Sequence, residues 1–377
     1  MKIGIITLDL RDNYGGLLQA YALQKTLQDM GHDVTFLDRS RFLNWTFFKK
    51  SRVYTKRFLR KLFIDHKTII KIDKKLNEES MLLRTNTYPF VQKYLKRIEV
   101  RRDFADVKEG CFDAFVVGSD QVWRPRYFSK PNIHHAFLSF AKKWNVKRIS
   151  YAASFGTDEW LFNGRQTKRC GTLLKKFNAV SVREDSAIKL CKKHFGVNPQ
   201  QVLDPTMLLS PQDYTNLFKA AGTPPSAGTL MCYILDGNPG KEQIITHIAN
   251  KFNLKAFSAN SKFDHPELPM SERIQPPVEN WLRAFSDAQY VVTDSFHACV
   301  FSILFQKPFI AYGNKSRGVT RFTSLLKMFG LESRLVTNSD EAERAMNEPI
   351  DWEKTNTILK EWKEKSFKYL KECLQNQ

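Results

Sequence analysis

Asp294, Ser295 and His297 fall where an apolar strand-like run, Tyr290-Val-Val-Thr293, gives way to an apolar helical run beginning at Phe296. Such a turn can bind an anion. The backbone N–H groups that open a helix have no intrahelical partners, and the helix dipole adds roughly half a positive charge there. His297 could donate a proton or hold an oxyanion, since imidazole alone has an unperturbed pKa near neutrality; equally it could be a helix-start histidine bonded to backbone. Asp294 reads as its catalytic partner or as an N-cap. Downstream, Lys315, Arg317 and Arg321 occupy one loop and the helix start that follows it, spaced so that two guanidinium forks could converge on a phosphate. Arg183 ends another apolar run, where it could face the same anion or pair with Glu184 or Asp185.

Two further turns have the chemistry of a polyol site. Asn13, Tyr14 and Gly15 form a short glycine turn before a helix, which lets backbone approach a ligand closely. In Gly118-Ser-Asp-Gln-Val-Trp123, the side chains of Ser119, Asp120 and Gln121 could bond sugar hydroxyls while Trp123 stacks on a ring; a packed tryptophan beside a capped helix is the plainer reading. There is no GxGxxG, no P-loop spacing, no HExxH and no Asp-x-Asp pair, which argues against dinucleotide, P-loop and metal-dependent sugar-nucleotide chemistry. No metal site and no cofactor are expected.

The elements that must position these residues alternate between strand and helix. Lys2 to Leu8 is a continuous apolar strand, Leu17 to Met30 repeats apolar residues at helical spacing, and Val34 to Leu37 completes a βαβ unit. Further strands are expected at Asp113 to Val117, Arg148 to Ser154, Ala179 to Val182 and Val202 to Pro205. Ser210-Pro-Gln-Asp opens a capped helix, after which Thr229 to Leu235, Tyr290 to Thr293 and the run from Pro308 make a second α/β series closed by a helix from Trp352 to Leu374. Two doubly wound, Rossmann-type α/β domains facing each other across a cleft follow from this order. They divide as 1–207 and 208–377, with a basic helical insertion at about 39–110 in the first.

With 59 basic and 39 acidic residues in 377, the net charge of +20 calls for an anionic partner: nucleic acid, an acidic membrane surface or a phosphorylated small molecule. Much of the excess lies between Arg39 and Lys75, where thirteen Lys/Arg and interleaved aromatics meet only Asp65 and Asp73 as acids. That segment could lie on an anionic bilayer or form solvated helices covering the sheet. No nucleic-acid-binding motif accompanies the charge, so nucleic acid is not expected. The opening residues read as a buried strand, no run is long and apolar enough to span a membrane, and the six dispersed cysteines suggest reduced thiols. A cytoplasmic protein, free or peripheral on the inner face of the membrane, is the expectation.

The chain resembles the polysaccharide pyruvyl transferase family over most of its length. The resemblance is carried by the opening strand with Asn13-Tyr-Gly-Gly and Gln19-Ala-Tyr-Ala-Leu-Gln24, by Phe112-Asp-Ala-Phe-Val-Val-Gly-Ser-Asp-Gln-Val-Trp123 and by Tyr151-Ala-Ala-Ser-Phe-Gly156. Val182-Arg-Glu-Asp-Ser186, Leu203-Asp-Pro-Thr206, Thr293-Asp-Ser-Phe-His297 and Arg317-Gly-Val-Thr-Arg-Phe322 extend it. It implies a GT-B-like fold, phosphoenolpyruvate as donor, and as acceptor a sugar of a surface polysaccharide or its lipid-linked precursor. By the resemblance Arg183 and His297 match donor-site positions; Ser295, Phe296, Lys315, Arg317 and Arg321 complete the expected donor site, with the acceptor on the Asn13 and Ser119 side. One departure stands out: many members carry arginine two residues before the histidine, where this chain has Ser295. Arg317 or Arg321 supplies that charge, or the donor differs. The rival readings are a GT-B glycosyltransferase using a nucleotide sugar and a non-enzymatic, membrane-docked scaffold.

Overall fold

Runs of apolar residues without alternation suit a parallel sheet covered on both faces, and the central strands of this chain are of that kind. The computed structural model describes residues 1–39, 47–128, 132–263, 265–313 and 318–375. Strands β1 (Lys2–Ile6), β2 (Asp33–Arg39), β3 (Arg97–Val100), β4 (Ala114–Asp120), β5 (Lys147–Ala153), β6 (Ala179–Val182) and β7 (Gln200–Gln201) form the first sheet. β8 (Leu230–Tyr233), β9 (Ala256–Ser258), β10 (Tyr290–Thr293), β11 (Phe309–Tyr312) and β12 (Leu335–Val336) form the second. All residues of β4, β8 and β10 are buried.

Every pairing in both sheets is parallel, with orders β3-β2-β1-β4-β5-β6-β7 and β12-β11-β10-β8-β9. Strand order reverses between β1 and β4 in the first sheet and between β8 and β10 in the second. Open α/β sheets bind ligands outside the carboxyl ends of the strands at such reversals. The turns of interest leave β1, β4 and β10, so the topology brings them to these two places.

One apolar core runs through both sheets, including Ile3, Tyr14, Trp281 and Phe301. Helix α1 (Tyr14–Asp29) contributes Tyr14, whose ring lies 5.6 Å from Trp281 and 6.2 Å from Tyr233, and whose hydroxyl donates to the Pro276 carbonyl at 2.7 Å. The helix Trp352–Leu374 returns to the first sheet, where Tyr369 donates to the Ser150 carbonyl and Ser366 Oγ accepts from Leu203 N–H. Packing therefore ties the closing helix to the first sheet as well, and a domain boundary near 207 stays our proposal.

The expected strands and helices lie within a few residues of the observed ones, with one strand shifted and three, β3, β9 and β12, not expected. The strand expected at 202–205 forms at Gln200–Gln201, because Asp204 and Pro205 open a 3₁₀ turn in which the Asp204 side chain accepts from Thr206 N–H. The insertion contains helices α2 (Phe47–Phe63) and α3 (Ile72–Leu83) and then returns through β3, an edge strand that its alternating charges concealed. Cys170, Cys191, Cys232 and Cys299 are buried free thiols, whereas Cys111 is exposed. Among the described residues no helix is long and apolar enough to cross a membrane.

Candidate active site

The helix that follows β10, Phe296–Leu304, is apolar all round, and every one of its residues is buried. Such a helix is fixed by packing on all sides, so its first turn is a rigid platform. The turn before it is held just as firmly. Asp294 accepts from Leu235 N–H at 2.7 Å, from Asp236 N–H at 3.0 Å and from the buried Lys241 ammonium at 2.7 Å. Thr293 Oγ1 donates to the Tyr233 carbonyl and accepts from Ser295 N–H. The Asp294 carboxylate thus locks the end of β10 to the end of β8, across the strand reversal. These bonds tie the Asp294 carboxylate down at the wall of the cleft described below, and the N-cap is Ser295, whose side chain makes no capping bond.

Behind Phe296 lies a buried charge cluster. Arg183, 4% exposed, donates to Asp204 at 2.7 Å and to Asp120 at 3.4 Å, and its Nε lies 3.9 Å from Glu184. Burial alone would lower the Arg183 guanidinium, but the Asp204, Asp120 and Glu184 carboxylates outweigh it and hold it above its ordinary value. Burial would likewise raise the Asp204 carboxyl, yet His297 and Arg183 hold it well below the usual carboxylate range. His297 is 6% exposed, with Nε2 at 3.6 Å from Asp204 Oδ2 and no hydrogen-bond partner for that nitrogen. Glu184 is set by the Ser154 hydroxyl and the Phe155 and Gly156 N–H groups, all donating to Oε1.

Two guanidinium groups meet the Phe296 ring, Arg183 at 4.4 Å and Arg321 at 5.5 Å from its centroid, within cation–π range. Burial and the neighbouring Arg183 lower the Arg321 guanidinium to about 10. Arg321 reaches this point because its loop packs closely on the first sheet. At Gly318, where φ is +94°, a Cβ would lie 1.9 Å from the Gly156 carbonyl oxygen.

In front of this cluster, between the two sheets, opens a cavity of about 690 Å³. Asn13, Asp120, Gln121, Asp294, Ser295, Phe296, His297 and Arg321 all line it, so the structure brings together residues from four separate stretches of sequence. It also adds residues that sequence reasoning missed, among them Arg11 and Arg126. Arg11 pairs with Asp9 at 3.3 Å. Asp204 was missed as well. It stands after the β7 strand end in the Leu203-Asp-Pro-Thr206 motif, a position that could have pointed to it.

Several expected site residues lie elsewhere. Trp123 is fully buried, stacks on Phe137 at 5.2 Å and donates to the Ala136 carbonyl, so it is unavailable to a sugar ring. Ser119 is fully buried too, donating from N–H to Gln19 and from Oγ to the Ala152 carbonyl. Tyr14 bolts the two sheets together, as described above. Arg183 stands behind Phe296 and is absent from the lining of the large cavity. Lys315 and Arg317 lie outside the described residues.

Gly15 has a specific part in this geometry. A Cβ there would fall 2.1 Å from His297 Nδ1, so the histidine ring occupies the space that the missing side chain leaves. Gly15→Ala is expected to push the ring out of register. Turnover should fall on the order of 10²-fold, as for other misplacements of about an ångström, with stability lowered by about 1 to 3 kcal/mol. Paired turnover assays and thermal melts check this.

The sequence profile of the polysaccharide pyruvyl transferase family matches residues 13–316, a span that holds the turns after β4 and β10 and ends before Arg321. The chain belongs to this family. As a polysaccharide pyruvyl transferase family protein it has a GT-B-like fold of two parallel sheets, similar to LpCGTa in complex with UDP (TM-score 0.50, 9% identity, covering 99% of this chain and 98% of that one). Arabidopsis thaliana UGT89C1 complexed with UDP-L-rhamnose gives a TM-score of 0.49 at 10% identity, with 98% and 97% covered. At such identities the likeness is one of fold. No curated protein matches the sequence. The family implies a pyruvyl donor and a saccharide acceptor, and its profile spans Asn13, Asp120, Arg183, Asp204 and His297.

Proposed function

We propose that this pyruvyl transferase family protein moves the pyruvyl group of phosphoenolpyruvate onto two hydroxyls of a saccharide, forming a cyclic ketal on a surface polysaccharide or its lipid-linked precursor. The observation that carries the reading is the meeting of Arg321, His297 and the start of a fully buried helix at the floor of the cleft. Phosphoenolpyruvate presents a phosphate and a carboxylate close together. A guanidinium fork beside helix N–H groups suits such a pair, each charge-assisted hydrogen bond contributing roughly 1.5 to 3 kcal/mol. An arriving anion would also offset the burial and the Arg183 repulsion that lower Arg321.

In this reading Arg321 holds the donor phosphate from the position that Ser295 leaves without an arginine. His297 protonates the methylene carbon C3 as the double bond breaks, which leaves C2 electrophilic. A sugar hydroxyl adds at C2 and gives up its proton. The C2–O bond to phosphate then breaks, inorganic phosphate departs, and a neighbouring hydroxyl closes the ring with loss of a second proton. Asp204 orients the His297 ring, and Arg183 is a positioning residue that holds Asp204, Asp120 and Phe296. Asn13, Asp120 and Gln121 face the acceptor across the cleft.

The nucleotide-sugar reading draws only on fold, which hosts many chemistries. Product analysis separates the two. With a saccharide acceptor from cell-envelope extract, the proposal expects inorganic phosphate from phosphoenolpyruvate and a product heavier by one pyruvate less one water. Nucleotide release from a sugar nucleotide, with no phosphate from phosphoenolpyruvate, would sink it.

A further inference from the structure

Helix α2 is the one long amphipathic element whose apolar face stays uncovered by any described residue: none of its side chains is buried. At about 100° per residue, Phe47, Phe58, Leu62, Phe48, Leu59 and Phe63 fall on one arc. Their exposures run from 48% for Phe58 and Leu59 to 84% for Phe48. The helix attaches to the protein by a different face. Only Lys50, Val53, Tyr54 and Arg57 are partly covered, with Tyr54 donating to Asp73, Arg57 to the Ile69 carbonyl, and Lys50 at 3.9 Å from Asp73. Arg52 lies within the arc beside Phe63, further cations border it on both sides, Lys56, Lys49 and Arg60 on one and Lys61 on the other, and the helix has no acidic residue.

We infer that α2 docks the protein on an anionic phospholipid surface, its phenylalanines and leucines entering the headgroup boundary and its flanking lysines and arginines meeting lipid phosphates. A helix rich in Lys/Arg on one face and Phe/Leu on the other lies in the interface plane in this way. Each cation near such a surface adds attraction that salt screens. A second copy of the chain fits this face poorly, because it would bring two acid-free basic helices together. Docking by this face also bears on the proposed reaction. α3, against which α2 rests, pairs through Glu79 with Arg273 at 2.6 Å, two residues before the cleft residue Gln275, whose carbonyl accepts from Asn86. On the proposed pyruvyl transfer, a saccharide carried on lipid would therefore be presented beside the cleft.

Flotation of the full chain with phosphatidylcholine vesicles, with and without phosphatidylglycerol, tests this. The wild type should float only with the anionic vesicles, and less as salt is raised. Phe48→Ser with Phe63→Ser, and separately Lys56→Glu with Arg60→Glu, should each weaken vesicle binding by roughly tenfold or more. Both variants should keep the wild-type melting temperature, since they touch no buried side chain, and keep wild-type phosphoenolpyruvate binding. Equal flotation with neutral vesicles, no flotation at low salt, or variants that bind like the wild type would overturn the inference. So would a wild-type dimer in sedimentation velocity that the phenylalanine variant disperses, which would give the face to a second copy. RNA binding without vesicle binding would likewise overturn it.

Discussion

Replacing Arg183 with methionine is expected to cost about 3 to 5 kcal/mol of folding stability near neutral pH, the usual loss when one member of a buried ion cluster is removed. The reason is that Asp204, Asp120 and Glu184 are all buried around this one guanidinium. Methionine fills the space and leaves the carboxylates without their cation. The pH dependence is a second signature. In the wild type Asp204 has a depressed native pKa, so its contribution is complete above the unfolded carboxyl value of about 3.9 and is lost as pH falls below it. In the variant, the uncompensated carboxylate gains by binding a proton, so the deficit should shrink as pH is lowered from about 7 toward about 4. Urea denaturation of both proteins across that range measures it. A deficit under about 1 kcal/mol at neutral pH, or one that grows on acidification, would show that the cluster does not hold this part of the fold.

The second large effect is on turnover. His297→Ala should lower phosphate release from phosphoenolpyruvate by on the order of 10² to 10⁴-fold, the range for a positioned general acid. Its melting temperature should fall less than that of Arg183→Met, because Asp204 keeps its 2.7 Å bond to Arg183. Added imidazole should restore part of the lost rate, since the truncation leaves a ring-sized space between Gly15 and Asp204. A purely structural histidine would not respond to imidazole. Failure of rescue together with a fall in stability matching the rate loss would move His297 from the chemistry to the scaffold.

How much of this was legible in the sequence depends on what each residue had to signal. The strands β1, β4 and β10 announced themselves because strands buried on both faces need continuous apolar runs. The turns after them then followed from topology. His297, Asp120 and Arg321 could be placed at the cleft because strand ends of open sheets converge there. Direction was harder to read. Asp294 and Ser119 sit in the right turns, but their side chains point to neighbouring strands, where backbone N–H groups and Lys241 or backbone carbonyls take them up. Trp123 reads from sequence either as a stacking platform or as a packed core residue, and it fills the core beside Phe137, a choice that only three-dimensional packing decides. Arg183 was found as a strand-end arginine, yet its main partner Asp204 comes from 21 residues further on, beyond any local pattern. The edge strand β3 carried too little apolar sequence to be seen.

On the proposed function the cleft takes phosphoenolpyruvate. Calorimetric titration of the wild type, of Arg321→Ala and of His297→Ala, each with phosphoenolpyruvate and with UDP, tests it most directly, in the presence of the saccharide extract so that either binding order is served. The account predicts saturable heat with phosphoenolpyruvate, weakened at least tenfold by Arg321→Ala through loss of a charge-assisted bond and more mildly by His297→Ala, with no heat from UDP. Saturable binding of UDP alongside no response to phosphoenolpyruvate would contradict it.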